Sequence, residues 1–578
     1  MAFVPNGRNK PTQISAGRGW YLMKLNPFQN QKERAALVRT ENLLFTRPEM
    51  INRLSNEDFD VLIVGGGVTG AYAALDAVLR GLKVAILEKD DFASGTSSKS
   101  SKMVHGGLRY IEQGNLPLVR RSLLERQRLR KNASHLVHRL PFLFPILSED
   151  GILDPRLAKG FEAALWTYDV SGGWREGILH QKLSKEEVLS HCSLFNAERL
   201  KSGLMYYDAR VDDARLVLTL VRTAVHFGAV ALNHAEVMDV RRERNRVSGV
   251  EAAVGDQSVT VRSKCVVMAT GSWLKRWSGA LPNVDTPPIR PAKGVHIAVP
   301  WKKIRNDCTV TIPVPGRERR ATITRWGDVS VLGTTDEDYT GDIDNPYCLA
   351  EERDFLIAGA RTALNTDLEA ADVLGSIAGT RPLVASPNGK TVDVKRNHEI
   401  RVDEDGLVTV VGGKLTTARH MGEQTIDAVM NVLDRKGSSE TSKQSLLGSS
   451  GYDAESTTAT GGLAAHLAER YGNEAHFVAD VVFESDRNQE KLVASLPYTV
   501  GEAVYAIRSE MATTISDVLD RRMRARLFAR DAAAEAASTV GSLLVEEGII
   551  NEHTATDEVE KYRAGITAEV EALTTYSS

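Results

Sequence analysis

An α/β chain that ends in a helical domain is what the sequence predicts, and three observations predict it. The first is a strand, glycine cluster, helix and second strand packed into about 30 residues from Asp60 to Lys89. The second is two further strand-and-turn segments, Lys264–Trp273 and residues 407–424, far downstream. The third is a series of helical patterns after residue 462, among them GLAAHLAERYG and TISDVLDRRMRARLFA.

Taken in order, residues 1–57 read as a basic N-terminal arm. Its first 50 residues carry eight Lys/Arg against three Asp/Glu, with one short helical pattern at ERAALVRTENLL. Folding proper is expected to begin at residue 58. DVLIVGGGV is an apolar, β-branched run that suits a strand buried on both faces. TGAYAALDAVLRG has helical spacing and stops at Gly81, and LKVAILEK is the next buried strand. Residues 441–462 are rich in Ser, Thr and Gly and read as a linker. The C-terminal helical domain follows over 463–578.

Composition excludes several classes. The 578 residues are 42% hydrophobic and 25% charged, enough for two or three domains and a large core. A net charge of −3 offers no field to recruit nucleic acid. Cys192, Cys265, Cys308 and Cys348 are scattered, so neither a disulfide scaffold nor a metal site is expected. No apolar run is long enough to span a bilayer, and the N-terminus lacks the apolar core of a secretory signal.

The glycine cluster carries the first chemistry. Gly65, Gly67 and Gly70 form G-x-G-x-x-G between strand and helix. The spacing gives a tight turn, a close backbone approach to a diphosphate, and close helix–strand packing, with the helix N-terminus facing the anion. Glu88 ends the second strand, 18 residues past Gly70, where a carboxylate can accept from ribose hydroxyls. This predicts a Rossmann-like dinucleotide site. The downstream segments favour FAD over NAD. Ala269-Thr270-Gly271 is a strand-end turn of the kind that recurs in flavoproteins. Gly412-Gly413 opens a helix whose N-terminus can stabilise negative charge on a reduced flavin.

Three longer stretches are more specific: GTSSKSSKMVHGGLRYIEQGN from Gly95, Gly379-Thr380-Arg381-Pro382-Leu383, and Gly412-Gly413-Lys414-Leu415-Thr416-Thr417-Ala418-Arg419. Together with Lys293–Ile297 and GTTDEDYTGD they resemble the FAD-dependent glycerol-3-phosphate dehydrogenase family, closely over residues 58–440 and loosely beyond. The resemblance implies an FAD-binding domain interleaved with a β-rich substrate domain over 58–440. It implies oxidation of sn-glycerol 3-phosphate to dihydroxyacetone phosphate, hydride transfer to FAD, and reoxidation by a membrane quinone. It also implies a cytoplasmic enzyme held peripherally at the inner face of the cell membrane, and leaves a homodimer open.

Residue roles follow on those terms. A phosphomonoester dianion calls for several cations. Arg109, Arg381, Arg396 and Lys414 are the candidates, with Tyr110 as a hydrogen-bonding partner. Removing the C2 hydroxyl proton calls for a base near neutral pKa. His296 is the first choice, and with Arg381 and Lys414 it forms the expected catalytic set; His105 is the second. Thr96, Ser97, Ser98 and Ser100 are expected along the FAD, with His105, Gly106, Gly107, Thr270, Gly271, Gly413, Lys414, Leu415 and Thr416. The basic stretch Leu116–Leu140 reads as a helix packed on the flavin domain or lying on anionic lipid. Two other functions share these motifs in part: an oxidase that reduces O₂, and a flavin-binding protein without catalysis. The set of cations beside the flavin motifs argues against the last.

Overall fold

The computed structural model describes residues 45–112, 114–148, 158–277, 289–313, 320–384, 398–452 and 461–576. Most of the N-terminal arm, including the helical pattern at its centre, lies outside them, as does Arg396.

Helix α1 (Arg47–Asn56) comes first, then strand β1 (Val61–Val64), helix α2 (Val68–Leu79) and strand β2 (Val84–Leu87). Next are α3 (Leu116–Asn132), β3 (Val137–Leu147), α4 (Ala158–Val170), β4 (Leu200–Val211), α5 (Asp213–His226), β5 (Val230–Leu232) and β6 (Val266–Met268). The second half supplies β7 (Ile289–Pro300), β8 (Thr309–Pro313), β9 (Arg320–Trp326), β10 (Val329–Gly333), β11 (Gly375–Val384), β12 (His398–Val402), β13 (Val408–Gly412) and α6 (Ala418–Val432).

The nucleotide half is a six-stranded sheet in the order β12-β13-β6-β1-β2-β5. All its pairings are parallel except the β12–β13 hairpin. Every residue of β1 and β2 is buried, as the uninterrupted apolar runs require of central parallel strands. Helices α5 and α6 both pack against α2. The substrate half is a ten-stranded, mostly antiparallel sheet through β7, β10, β9, β8, β3 and β4, with β11 paired to β7 along its whole length. The chain passes between the two sheets repeatedly, so the halves are interleaved.

Two boundaries differ from the sequence reading. Folding starts before residue 58. Met50 and Leu54, one helical turn apart on α1, are buried in the nucleotide core with Phe45, and Arg47 donates to the Asn233 carbonyl at 2.7 Å. Pro48 in the first turn and the Met50/Leu54 spacing were the available signal. The stretch read as a linker is irregular, but its first half is not a free tether. Thr441 is buried against Asp76 and Arg419, and the Leu446 N–H donates to the Asn132 carbonyl. Short hydroxyl side chains there satisfy buried charges. Residues 453–460 lie outside the description.

The C-terminal helices include Gly462–Tyr471, Val500–Ser509, Arg530–Glu546 and Glu552–Thr574. Charged contacts join them to the nucleotide half. Asp91 pairs with Arg521 and Arg522, Arg215 with Glu510, and Arg222 with Glu474 at 2.8 Å. All four cysteines are buried and unbridged.

Candidate active site

Two adjoining cavities run between the sheets. The first, about 230 Å³, follows the glycine motif; the second, about 600 Å³, opens against the substrate sheet. Thr96, Ser100, Pro382, Gly413, Lys414 and Leu415 line both, so the two form one continuous trench.

In the narrow part each motif residue has a physical role. Gly65 has φ +113, and a Cβ there would stand 2.6 Å from the Ala269 carbonyl oxygen. A Cβ on Gly70 would stand 2.0 Å from the Gly65 carbonyl oxygen, so α2 sits as close to the β1 turn as backbone allows. The α2 N-terminus begins beside Gly67, and Ser97 Oγ accepts from the Val68 N–H at 2.9 Å. Glu88 Oε2 accepts from the Gly66 N–H at 2.7 Å and Oε1 from the Asp90 N–H at 3.1 Å. Burial nevertheless pushes the Glu88 carboxyl up to about 7. Thr270 and Gly271 complete the wall. The positive end of a helix and a buried acid one strand away suit the diphosphate and ribose of FAD.

The wide part is lined by cations. Arg381, on β11, crosses over Gly294 and donates to Thr334 Oγ1 at 3.0 Å and Asp336 Oδ1 at 3.2 Å. The Lys414 ammonium stands 4.7 Å from the Tyr110 ring centroid, at the junction of the two cavities. His105 lines the cavity; its N–H donates to Thr416 Oγ1 at 3.1 Å, and the Thr416 hydroxyl donates back to the His105 carbonyl. Gly107 also lines it. Lys99, Arg320, Thr334 and Asp336 are on the wall too, and the sequence reading did not single them out. Thr334 and Asp336 lie inside a matched motif, so a signal existed for them. Arg320 has none: it is brought in by β9, its guanidinium 5.0 Å from the Phe144 ring centroid. Burial and the nearby Arg521 and Arg526 push the Lys99 ammonium down to about 8.

Several expected residues stand behind the wall rather than on it. His296 is buried on β7. Its Nε2 lies 2.9 Å from Ser101 Oγ, and Ser101 is the residue that faces the cavity. Burial, with Lys102 and Arg381 nearby, pushes the His296 imidazolium down to about 3, so the ring is neutral at any working pH. Of the two candidate histidines, His105 lines the cavity and His296 reaches it through Ser101. The register sets His296 on the same face of the sheet as Arg381, with its ring over Gly333, and the loop carrying Ser101 stands between that ring and the cavity. Tyr110 is buried beneath Lys414 and Gly107, offering the ammonium its ring face. Gly106 packs on Tyr168, and its N–H donates to the Tyr168 hydroxyl at 2.9 Å. Ser98 turns away from both cavities; its carbonyl accepts from Lys102 at 3.1 Å and Arg524 at 3.0 Å, which fixes the loop carrying Thr96 and Ser97. Arg109 begins a helical turn, Arg109–Glu112, and only its backbone is described.

Comparison with known proteins agrees with this geometry. Residues 60–428 match the FAD dependent oxidoreductase family, and residues 439–554 match the C-terminal domain of alpha-glycerophosphate oxidase. Glycerol-3-phosphate dehydrogenase 2 of Mycobacterium tuberculosis is 36% identical over 579 residues, covering 96% of this chain and 93% of that protein. The structure of the glycerol-3-phosphate dehydrogenase from Bacillus halodurans complexed with FAD superposes with a TM-score of 0.74 at 27% identity, over 93% of this chain and 99% of that one. L-alpha-glycerophosphate oxidase from Mycoplasma pneumoniae shares the fold at 18% identity and a TM-score of 0.52, over 66% of this chain and 97% of that one. The trench, the two matched domains and a relative aligned along nearly the whole sequence converge: this chain belongs to the FAD-dependent glycerol-3-phosphate dehydrogenase family.

Proposed function

We propose that the protein oxidises sn-glycerol 3-phosphate to dihydroxyacetone phosphate and passes the electrons to a membrane quinone. The observation that carries this reading is the placement of Arg381, Arg320, Lys99 and Lys414 around a cavity that meets the dinucleotide trench at Gly413–Leu415. A phosphate dianion needs such a set, and a cofactor binder does not.

FAD, held by Gly65, Gly67, Glu88, Thr96, Ser97, Thr270, Gly271, Gly413 and Leu415, supplies the hydride acceptor. The chain does the rest. Arg381, kept in place by Thr334 and Asp336, presents its fork to the phosphate with Arg320 and Lys99. Lys414, anchored on the Tyr110 ring at the junction, stabilises negative charge that develops at the C2 oxygen or the flavin. His105 takes the C2 hydroxyl proton. A second route for that proton runs through the Ser101 hydroxyl to His296, on the strength of their 2.9 Å contact.

The natural setting of this chemistry is the cytoplasmic face of the cell membrane, with the quinone reached from the bilayer. Among the described residues no helix is long and apolar enough to cross a membrane. Anaerobic addition of glycerol 3-phosphate to the purified holoenzyme should bleach the flavin, and a quinone analogue should restore it. If the flavin stays oxidised, the substrate assignment is wrong. If O₂ restores it as fast as quinone does and peroxide accumulates, the protein is the oxidase of the family.

A further inference from the structure

Asp208 and Arg126 form a buried ion pair inside the aromatic wall of the substrate cavity. Asp208, on β4, is 1% exposed and lies two residues from Tyr206, on the same face of the strand; both line the 600 Å³ cavity. Behind that wall is a hydrophobic cluster that includes Leu123, Phe142, Phe144, Phe161 and Tyr168. Three elements meet at the carboxylate. Arg126, from α3, is fully buried and donates from Nη1 to Asp208 Oδ1 and to the Tyr207 carbonyl, the latter at 2.8 Å. Tyr168, from α4, donates its hydroxyl to the same Oδ1 at 2.6 Å. A guanidinium keeps its proton at any working pH, so Asp208 is its counter-charge.

Stability does not account for the pair. Taking two charges out of water costs about what their attraction returns, and apolar side chains of similar volume often hold a core as well. The carboxylate has one further ligand, the backbone N–H of Gly106, which reaches Asp208 Oδ1 at 3.1 Å and the Tyr168 hydroxyl at 2.9 Å. That N–H belongs to the peptide plane between His105 and Gly106. The opposite edge of the same plane is the His105 carbonyl, which accepts from the Thr416 hydroxyl at 3.3 Å. Thr416 in turn accepts from the His105 N–H at 3.1 Å, and it stands on the Leu415–Thr417 turn that lines the junction of the two cavities. One peptide plane is thus held at both edges, by a buried charge on the substrate sheet and by a hydroxyl on the flavin side.

We propose that Asp208 is a positioning residue for His105: backed by Arg126 and Tyr168, it clamps the His105–Gly106 peptide plane against Thr416 and so aims the imidazole at the C2 hydroxyl. This rests on the reading above, in which His105 takes that proton. The ion pair then has a use that an apolar core lacks. A charged acceptor holds an amide N–H more strongly than a neutral one, and the guanidinium and the phenol preset its direction. A misplacement of about 1 Å in a reacting group is enough to lower a rate about 100-fold. Arg126, Tyr168 and Asp208 come from three separated segments, α3, α4 and β4, and meet only in the fold.

The test is anaerobic stopped-flow reduction of the full-length holoenzyme by glycerol 3-phosphate, with FAD content read from flavin absorbance and product affinity from titration with dihydroxyacetone phosphate. Asp208→Asn should retain FAD and bind dihydroxyacetone phosphate as the wild type does, yet its limiting reduction rate should fall about 100-fold. Tyr168→Phe keeps the ion pair, and with it the fold, and should lower the limiting rate about 3–10-fold by the loss of one neutral hydrogen bond. In combination with His105→Asn, either change should leave the rate within about 2-fold of His105→Asn alone, because a positioning residue then has nothing left to position. A pair that serves the fold alone would add its effect in full. Should Asp208→Asn fail to fold, Tyr168→Phe and its combination with His105→Asn decide the matter. Wild-type limiting rates in the single variants, or full additivity with His105→Asn, overturn the proposal while leaving His105 as the base. A wild-type rate in His105→Asn overturns the reading on which the proposal rests, and the proposal with it.

Discussion

Arg381 shows how much of the site depends on single side chains held by neighbours. Its fork is oriented by Thr334 and Asp336, so truncation removes a preset charge-assisted contact. Arg381→Ala should lower kcat/KM for glycerol 3-phosphate about 30–1000-fold, from a loss of about 2–4 kcal/mol, while FAD content stays at the wild-type level. Flavin absorbance and steady-state kinetics on the same preparation decide it. The two histidines should separate in stopped-flow reduction. His105→Asn should slow flavin reduction by about 10²–10⁴-fold. His296, pushed down to about 3, contributes no ionisation near neutrality, so His296→Asn should leave the shape of the pH profile unchanged. A profile that loses its ionisation in His296→Asn alone would return the base to His296. Glu88 has the opposite sign of shift. Its folded carboxyl, at about 7, lies above the ordinary value of 4.5, so the apoprotein is favoured while the group is protonated. Apoprotein stability should therefore decline as pH rises from about 4.5 through about 7, and Glu88→Gln should flatten that decline in a thermal-shift series.

Elements determine where these residues meet. The β7–β11 pairing sets Ala292 opposite Arg381 and His296 opposite Ile377, so a shift of one residue would exchange wall for core. The contact of α2 with the β1 turn is set by Gly70. Gly70→Ala would drive a methyl to 2.0 Å from the Gly65 carbonyl oxygen, and backbone cannot move aside as a side-chain end does. We expect a loss of at least about 1–3 kcal/mol and a fall in bound FAD. Gly81→Ala, with no atom within 4 Å, is the control: it bears only the strain of φ +78 and should keep its FAD.

At the scale of the whole molecule, the C-terminal domain braces the cofactor loop. Arg524 pairs with Asp212 at 3.0 Å and with Asp213, and donates to the Ser98 carbonyl at 3.0 Å. Ser100 Oγ donates to the same Asp213 at 2.6 Å. Cutting a buried pair leaves a charge uncompensated, at a cost of about 3–5 kcal/mol; Lys102, still 3.1 Å from Asp213, keeps the expected loss near the lower end. Arg524→Ala should lower Tm and release FAD more readily, although Arg524 lines neither cavity. Normal FAD retention at reduced Tm would show that the brace serves folding alone.

The buried strands β1 and β2, the helix α2 and the glycine spacing were legible because local physics dictates them. An apolar β-branched run, a G-x-G-x-x-G and a terminal acid act over tens of residues, and their periodicity is written in the chain. The family motifs likewise located Arg381, Lys414 and His105 by local pattern. The side of the wall on which a motif residue falls was not local. His296, Ser98 and Gly106 sit in or beside matched stretches yet are covered, because packing between segments far apart in the chain decides what stands over each of them. Arg320 was invisible for the same reason: only the pairing of β9 between β8 and β10 carries an unpatterned arginine to the cavity.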